Sequence, residues 1–135
     1  MTARAAIVGP ADEGKVAMAG HDELGRRGEK AAEAYLCAHG FEVVARNWRC
    51  AHGELDLILR EGRCLVFCEV KTRSGRGFGE PLDAVTWRKL ARLRRLASAY
   101  LVESGGHAGP VRIDAVGIVW AGDGRLTLTH VRGVA

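Results

Sequence analysis

The sequence predicts an α/β fold in which a central mixed sheet of five strands is flanked by helices. Two stretches, 23–39 and 84–103, repeat their apolar residues at helical spacing. Five further stretches are short and apolar and end at glycine or polar turn residues, at 41–49, 53–60, 63–73, 111–120 and 125–131. The resulting order of helix, three strands, helix and two strands is typical of helices packed on the faces of one sheet.

The length suits one domain. The chain has 135 residues, enough to bury a core of its own. Residues 1–20 are rich in alanine and glycine and have no clear period, so we expect a loosely ordered extension there. No linker or repeat divides the remainder, and we place the single domain at 21–135.

Composition favours a cytoplasmic protein with no membrane partner. No stretch without a charged residue exceeds eight residues, which is too short to span a membrane. The first twenty residues lack the pattern of a secretory signal peptide. The four cysteines form no C-x-x-C pair, so we interpret them as small apolar residues in a reducing compartment. A net charge of +4 is compatible with a polyanionic partner.

The first helix is predicted to begin after Asp22 as its N-cap and to end at Gly40. Glu29 and Glu33 are four residues apart on it and therefore share one face. The strands at 53–60 and 63–73 are joined by a two-residue turn and form a hairpin.

The strand at 53–60 alternates, which predicts that its side chains divide between two faces of the sheet. One face carries Leu55, Leu57 and Leu59, and the other carries Glu54, Asp56 and Ile58. A glycine-rich loop at 74–79 follows the third strand. The second helix is then predicted to begin after Asp83 as its N-cap, and two glycines at 105–106 end it.

The third strand carries the feature that indicates function. Glu69 and Lys71 are two residues apart in an apolar strand and therefore point to the same face. A buried carboxylate and ammonium are costly unless they are paired or functional. Asp56 lies in the neighbouring strand of the hairpin, and this layout is typical of a metal-dependent nuclease site. The alternative is a solvated strand face with an ion pair.

Phosphodiester hydrolysis needs an activated water and stabilisation of added negative charge. Mg²⁺ or Mn²⁺ suits both tasks and takes hard oxygen ligands. The predicted ligands are the carboxylates of Asp56 and Glu69 and the carbonyl of Val70. Lys71 would orient or deprotonate the water. Further carboxylates that could complete the ion shell are Glu29 or Glu33 on the first helix, and Glu54.

Four motifs in this order and spacing closely resemble the YraN-like family of small bacterial proteins. They are GRRGE at 25–29, RNWR at 46–49, GELDLI at 53–58 and FCEVKTR at 67–73. That family is similar to the Holliday-junction-resolvase and restriction-endonuclease-like superfamily, whose signature is PD-(D/E)xK. The resemblance covers about 21–132 and implies a restriction-endonuclease-like fold with a Mg²⁺ or Mn²⁺ site.

Carried across by motif, the resemblance implies that Glu29, Asp56 and Glu69 are the site carboxylates and that Lys71 is the lysine of the signature. Leu55 stands where the signature has proline. Junction resolvases tolerate this departure, so it favours a resolvase over a restriction enzyme.

A basic segment follows the third strand. From 73 to 95 there are seven basic residues against two acidic ones, which suits contact with phosphates. The alternative is a solubilising helix face. The predicted nucleic-acid contacts are Arg73, Arg76, Arg88, Lys89 and Arg92.

These observations lead to one hypothesis and two alternatives. The hypothesis is a Mg²⁺-dependent endonuclease acting on structured or branched DNA, as a homodimer that forms on the DNA. The alternatives are a non-catalytic nucleic-acid-binding module and a protein-interaction adaptor on a nuclease-like fold.

Overall fold

The structure, a computed structural model, describes residues 2–3, 21–75 and 81–134. Its elements are β1 (Thr2–Ala3), α1 (His21–Ala38), β2 (Phe41–Cys50), β3 (Gly53–Glu61), β4 (Cys64–Arg73), a 3₁₀ turn (Pro81–Ala84), α2 (Trp87–Ser104), β5 (Val111–Trp120) and β6 (Leu126–Val131). The predicted α/β class is confirmed. The short strand β1 was not predicted, and residues 4–20 of the predicted extension lie outside the described residues.

The strands form one mixed sheet in the order β1-β6-β5-β4-β3-β2. Only β4 and β5 are parallel among the described strands, and α2 makes the crossover between them. A crossover helix runs antiparallel to the strands it joins. The first turn of α2 therefore lies at the carboxyl end of β4, where Lys71 and Arg73 are.

A helix covers each face of the sheet. Val66, Cys68 and Val70 of β4 belong to the core on the α1 side. Leu65 and Phe67 belong to the core on the α2 side. Strand β4 is thus buried on both faces, as central strands of parallel pairs are.

The predicted division of β3 between two faces is wrong at its start. Leu57 and Leu59 pack on the α1 side, but Leu55 packs with Ile58 on the α2 side. The reversal falls at Asp56, which has no partner between Trp48↔Leu55 and Arg46↔Leu57, opposite Asn47 with its positive φ. The register shift of this strand pair lies further along, between Val43 and Ala45.

The predicted start of α2 is also wrong. Asp83 lies in the 3₁₀ turn, and Thr86 is the N-cap. The Thr86 hydroxyl oxygen accepts a hydrogen bond from the Lys89 amide at 3.4 Å, which satisfies one of the free amides of the first turn. Gly105, with φ of 89°, ends the helix as predicted.

Candidate functional site

One carboxylate of the candidate site comes from α1, and a glycine brings this helix close to β4. A Cβ atom on Gly28 would lie 1.7 Å from the Thr72 side-chain oxygen. Only glycine therefore allows this approach, which places the next residue, Glu29, beside the strands that carry the other carboxylates.

Asp56 lies where β3 separates from β4. The pairing of these strands ends at Leu57↔Cys68, whereas β4 stays paired with β5 as far as Arg73↔Val119. The Asp56 carboxylate accepts a hydrogen bond from the Val70 amide at 2.8 Å. A side-chain oxygen thus takes the place that a backbone carbonyl of β3 would hold, and it aims Asp56 at β4.

Glu69 and Lys71 form the pair that their spacing predicts. The Lys71 ammonium lies 3.4 Å from the Glu69 carboxylate. Glu69 is only 5% exposed, whereas about a third of the Lys71 side chain reaches solvent. The carboxylate is therefore held inside the protein, and the ammonium lies at the surface.

The Asp56 carboxylate is buried among other negative charges, which raises its pKa. Burial raises its pKa, the negative charges of Glu69 and Glu29 raise it further, and the Val70 amide only partly offsets this. The resulting pKa is about 8, compared with 3.8 for an ordinary aspartate. Positive charge close to this carboxylate would favour its ionised form.

The two glutamates of α1 share a face, as predicted, but have different partners. Glu33 receives two hydrogen bonds from the Arg46 guanidinium, at 2.7 and 2.8 Å, which lower its pKa. Glu29 instead accepts one from the neutral Asn47 amide at 2.9 Å. Because its partner is uncharged, Glu29 is the helix carboxylate that adds to the field on Asp56.

Asp56 and the two glutamates of α1 line a cavity of about 240 Å³ between α1 and the strands, whereas Glu69 and Lys71 are not among its walls. Its walls are Arg26, Glu29, Lys30, Glu33, Arg46, Asn47, Asp56 and Leu57. Glu54 is not among its walls, and its carboxylate pairs with Arg49 at 2.6 Å.

Sequence reasoning assigned no role to Asn47. It is the only non-glycine residue with positive φ in the described ranges, at 48°. Asparagine tolerates this conformation better than most residues, so its identity is the signal that could have found the irregularity.

The residues fit a divalent ion held by few protein ligands. Within the described part of the chain, no three His, Cys, Asp or Glu side chains are close enough to hold one ion. Mg²⁺ commonly binds through one or two carboxylates and keeps several waters. Asp56 and Glu69 would supply those carboxylates, and the Val70 carbonyl stays a predicted ligand. The predicted ligand Glu29 is not grouped with these two carboxylates as a third metal-binding side chain.

Basic residues gather next to this pair. The positive charge of Lys71, together with burial, lowers the pKa of Lys89 on α2, and Arg92 and Arg73 act in the same direction. Three of the predicted cations thus lie within electrostatic reach of Lys89. Arg88 is exposed on the same helix, and the predicted contact Arg76 lies outside the described residues.

A second polar cluster is separate from the site and ties strands together. Asp114 is fully buried, accepts two hydrogen bonds from Arg112, and lies 2.8 Å from a His130 ring nitrogen. Arg112 and Arg132 also bind Glu61 of β3.

Comparisons with known proteins confirm the resemblance to the YraN-like family. The model of the uncharacterised protein family UPF0102 matches residues 28–118. A UPF0102 protein of Beutenbergia cavernae is 53% identical over 87% of this chain and 99% of its own length. UPF0102 proteins of Frankia alni and Clavibacter michiganensis are 49% and 45% identical, over 87% and 85% of this chain and 98% of each relative. No helix in the described ranges is long and apolar enough to cross a membrane.

Proposed function

The chain belongs to the uncharacterised protein family UPF0102, and we propose that it is a Mg²⁺- or Mn²⁺-dependent endonuclease that cleaves branched DNA in the cytoplasm. The observation that carries this proposal is the carboxylate pair Asp56 and Glu69, with the Lys71 ammonium 3.4 Å from Glu69. Buried carboxylates whose charges raise a pKa are typical of functional sites.

Each residue has a separate role in the proposal. Asp56 and Glu69 hold the ion, which when bound supplies positive charge to the scissile phosphate and a polarised water. Lys71 orients that water or takes its proton. Arg73 and Lys89 bind phosphates on either side, where their charge fixes the position of the strand.

One observation favours the alternative of a nucleic-acid-binding module without turnover. The described residues bring together no group of three metal-binding side chains, and Glu29 is hydrogen-bonded to Asn47. A domain that kept the basic residues but bound no ion would still hold DNA.

The test is cleavage of a four-way DNA junction by the purified protein, with Mg²⁺ or with a chelator. We expect cleavage only with the ion, and loss of cleavage in Glu69→Gln and Lys71→Ala. Lys71→Ala should leave DNA binding nearly intact, because one phosphate contact adds little to the total affinity. Glu54→Gln is the matched control, since its carboxylate is paired with Arg49 outside the site.

A second measurement separates ion binding from turnover. Mg²⁺ should raise the melting temperature of the wild type, because a ligand that binds only the folded state stabilises it. Glu69→Ala should abolish that shift. Binding of junction DNA without a Mg²⁺ shift and without cleavage would favour the binding module.

A further inference from the structure

Trp87 is an exposed aromatic residue for which the described part of the chain shows no hydrogen bond or ring contact. It is the first residue of α2 and is 80% exposed. The other tryptophans have packing or hydrogen-bonding roles, because Trp48 donates to Glu103 and contacts Tyr100, and Trp120 is buried.

The start of α2 does not depend on this side chain. The Thr86 carbonyl accepts the first helical hydrogen bond, from the Leu90 amide at 2.9 Å, and the Thr86 hydroxyl caps Lys89. A large apolar ring exposed to water at a position with no structural task is a candidate contact for a ligand.

The crossover places Trp87 at the candidate site. Because β4 and β5 are parallel and α2 joins them, the first turn of α2 lies at the carboxyl end of β4. Lys71 and Arg73 are at that end, and Lys89, two residues after Trp87, is within electrostatic reach of both. The ring therefore stands beside a cluster of cations suited to phosphates.

We propose that Trp87 stacks on an unpaired base of the DNA, so that this site prefers strands with unpaired nucleotides to a continuous duplex. An aromatic face stacks on any base, whereas the faces of bases inside a duplex are covered by their neighbours. Cations beside an exposed aromatic ring are the combination by which proteins bind single strands without reading sequence.

The exposure of the ring indicates which nucleotide it binds. Trp87 faces solvent, whereas Lys89 is partly buried toward the sheet. The stacked base is therefore a neighbour along the strand rather than the nucleotide whose phosphate lies against the carboxylates. Branched DNA with a short unpaired arm supplies such a neighbour.

This inference rests on the proposed function, since it names the substrate class of the same site. Its test is binding, measured with a chelator present so that no cleavage occurs. A short single-stranded oligothymidylate and a duplex of the same length are compared by fluorescence anisotropy. We expect Trp87→Ala to weaken single-strand binding roughly tenfold and to leave duplex binding nearly unchanged.

Two further variants make the result specific. Trp87→Phe should restore most of the affinity, because it keeps an aromatic face. Single-stranded DNA should quench the tryptophan fluorescence of the wild type but not that of Trp87→Phe. Val102→Ala is the matched control, because Val102 is 84% exposed at the other end of the same helix and should change neither affinity.

Three results would overturn the inference. Equal weakening of single-strand and duplex binding in Trp87→Ala would make the residue a general contact. Unchanged binding in that variant would exclude stacking but would not contradict the proposed endonuclease function. A wild-type protein that bound neither DNA would refute both this inference and the nucleic-acid function on which it rests.

Discussion

At the scale of single residues, Asp56 is a carboxylate whose burial costs folding stability. Its hydrogen bond from Val70 stabilises the local structure, but burial and the charge of Glu69 disfavour its ionised form. Functional sites commonly keep such destabilising groups.

We therefore expect Asp56→Asn to be more stable than the wild type at neutral pH without divalent ions. Asparagine keeps an oxygen acceptor for Val70 and loses the charge. Between about pH 4 and about pH 8 the folded wild type holds a proton that the unfolded chain has lost, so its free energy of unfolding falls as pH rises. Asp56→Asn has no titrating group at this position, so its free energy of unfolding does not fall for this reason.

The measurement is urea unfolding in chelator at the two ends of that range. The advantage of Asp56→Asn should be small near pH 4 and grow toward pH 8. Glu54→Gln, which alters an exposed ion pair on the same strand, should show no such growth. A variant less stable than the wild type near pH 8 would show that the charge of Asp56 is structurally required.

Individual site residues differed in how far the sequence predicted them. Glu69 and Lys71 were predictable together, because a period of two in a strand is enough to place them on one face. The hydrogen bond from Asn47 to Glu29 was not predictable, because it depends on the positive φ of Asn47. The alternation of side chains along a strand does not reveal that conformation. His130 pairs with Asp114 only after β5 and β6 come together.

At the scale of elements, the close packing of α1 on β4 sets the position of Glu29. Gly28 and Gly25 lie one turn apart in the same helix, but only Gly28 is in contact with β4. A Cβ added at Gly25 meets nothing within 4 Å, whereas one at Gly28 would overlap Thr72. Alanine substitutions at these two glycines therefore separate the effect of helix propensity from the effect of packing against β4.

We expect Gly28→Ala to destabilise the protein by about 1–3 kcal/mol, because α1 must move away from β4 to admit the methyl group. Gly25→Ala should instead stabilise it by about 1 kcal/mol, since alanine favours the helix. Urea unfolding of both variants gives the comparison. Equal gains in stability would show that α1 is free to shift on the sheet.

Displacement of α1 also has a consequence for function. Glu29 adjoins Gly28, so any Gly28→Ala protein that folds should bind Mg²⁺ more weakly if Glu29 is a ligand or acts through its charge. The same variant measured for the Mg²⁺ shift of the melting temperature decides that point.

The elements themselves were predictable where local pattern determines them. The two helices and five strands follow from periodicity and from glycine positions. The start of α2 was not predictable, because aspartate and threonine are both good N-cap residues and the sequence offers Asp83 and Thr86. The 3₁₀ turn at Pro81–Ala84 packs over Gly117, takes up Asp83 and leaves Thr86 as the cap. The face reversal in β3 falls at Asp56, opposite the positive-φ Asn47 of β2, and the alternation of side chains along one strand does not reveal it.

At the scale of the whole molecule, the buried Asp114 cluster links three strands of the sheet. Arg112 joins Asp114 of its own strand to Glu61 of β3, and His130 joins Asp114 to β6. Burial raises the pKa of Asp114, but hydrogen bonds from His130, Arg112 and the Gly133 amide outweigh it and hold the pKa at about 2.

The ionised form of Asp114 therefore stabilises the fold. This contribution is complete above about pH 4, the unfolded value, and is lost as pH falls toward about 2. Asp114→Asn should cost about 3–5 kcal/mol at neutral pH, because it leaves Arg112 with a buried charge less well paired. The difference from the wild type should shrink with acid. Asp123→Asn, in an exposed turn pair with Arg125, should change little at any pH.

The last prediction concerns assembly on the substrate. Symmetrical cleavage of a four-way junction needs two active sites related by a two-fold axis, and one chain supplies one candidate site. Two-fold homodimers are also the commonest oligomers. We therefore expect two chains on each junction, with Arg73 and Arg92 of both facing the same DNA.

Sedimentation of Lys71→Ala with junction DNA measures this while the DNA stays intact, and protein without DNA is the control. Two chains per junction are expected, whereas a one-to-one wild-type complex that cuts opposed strands in concert would show that one site acts twice.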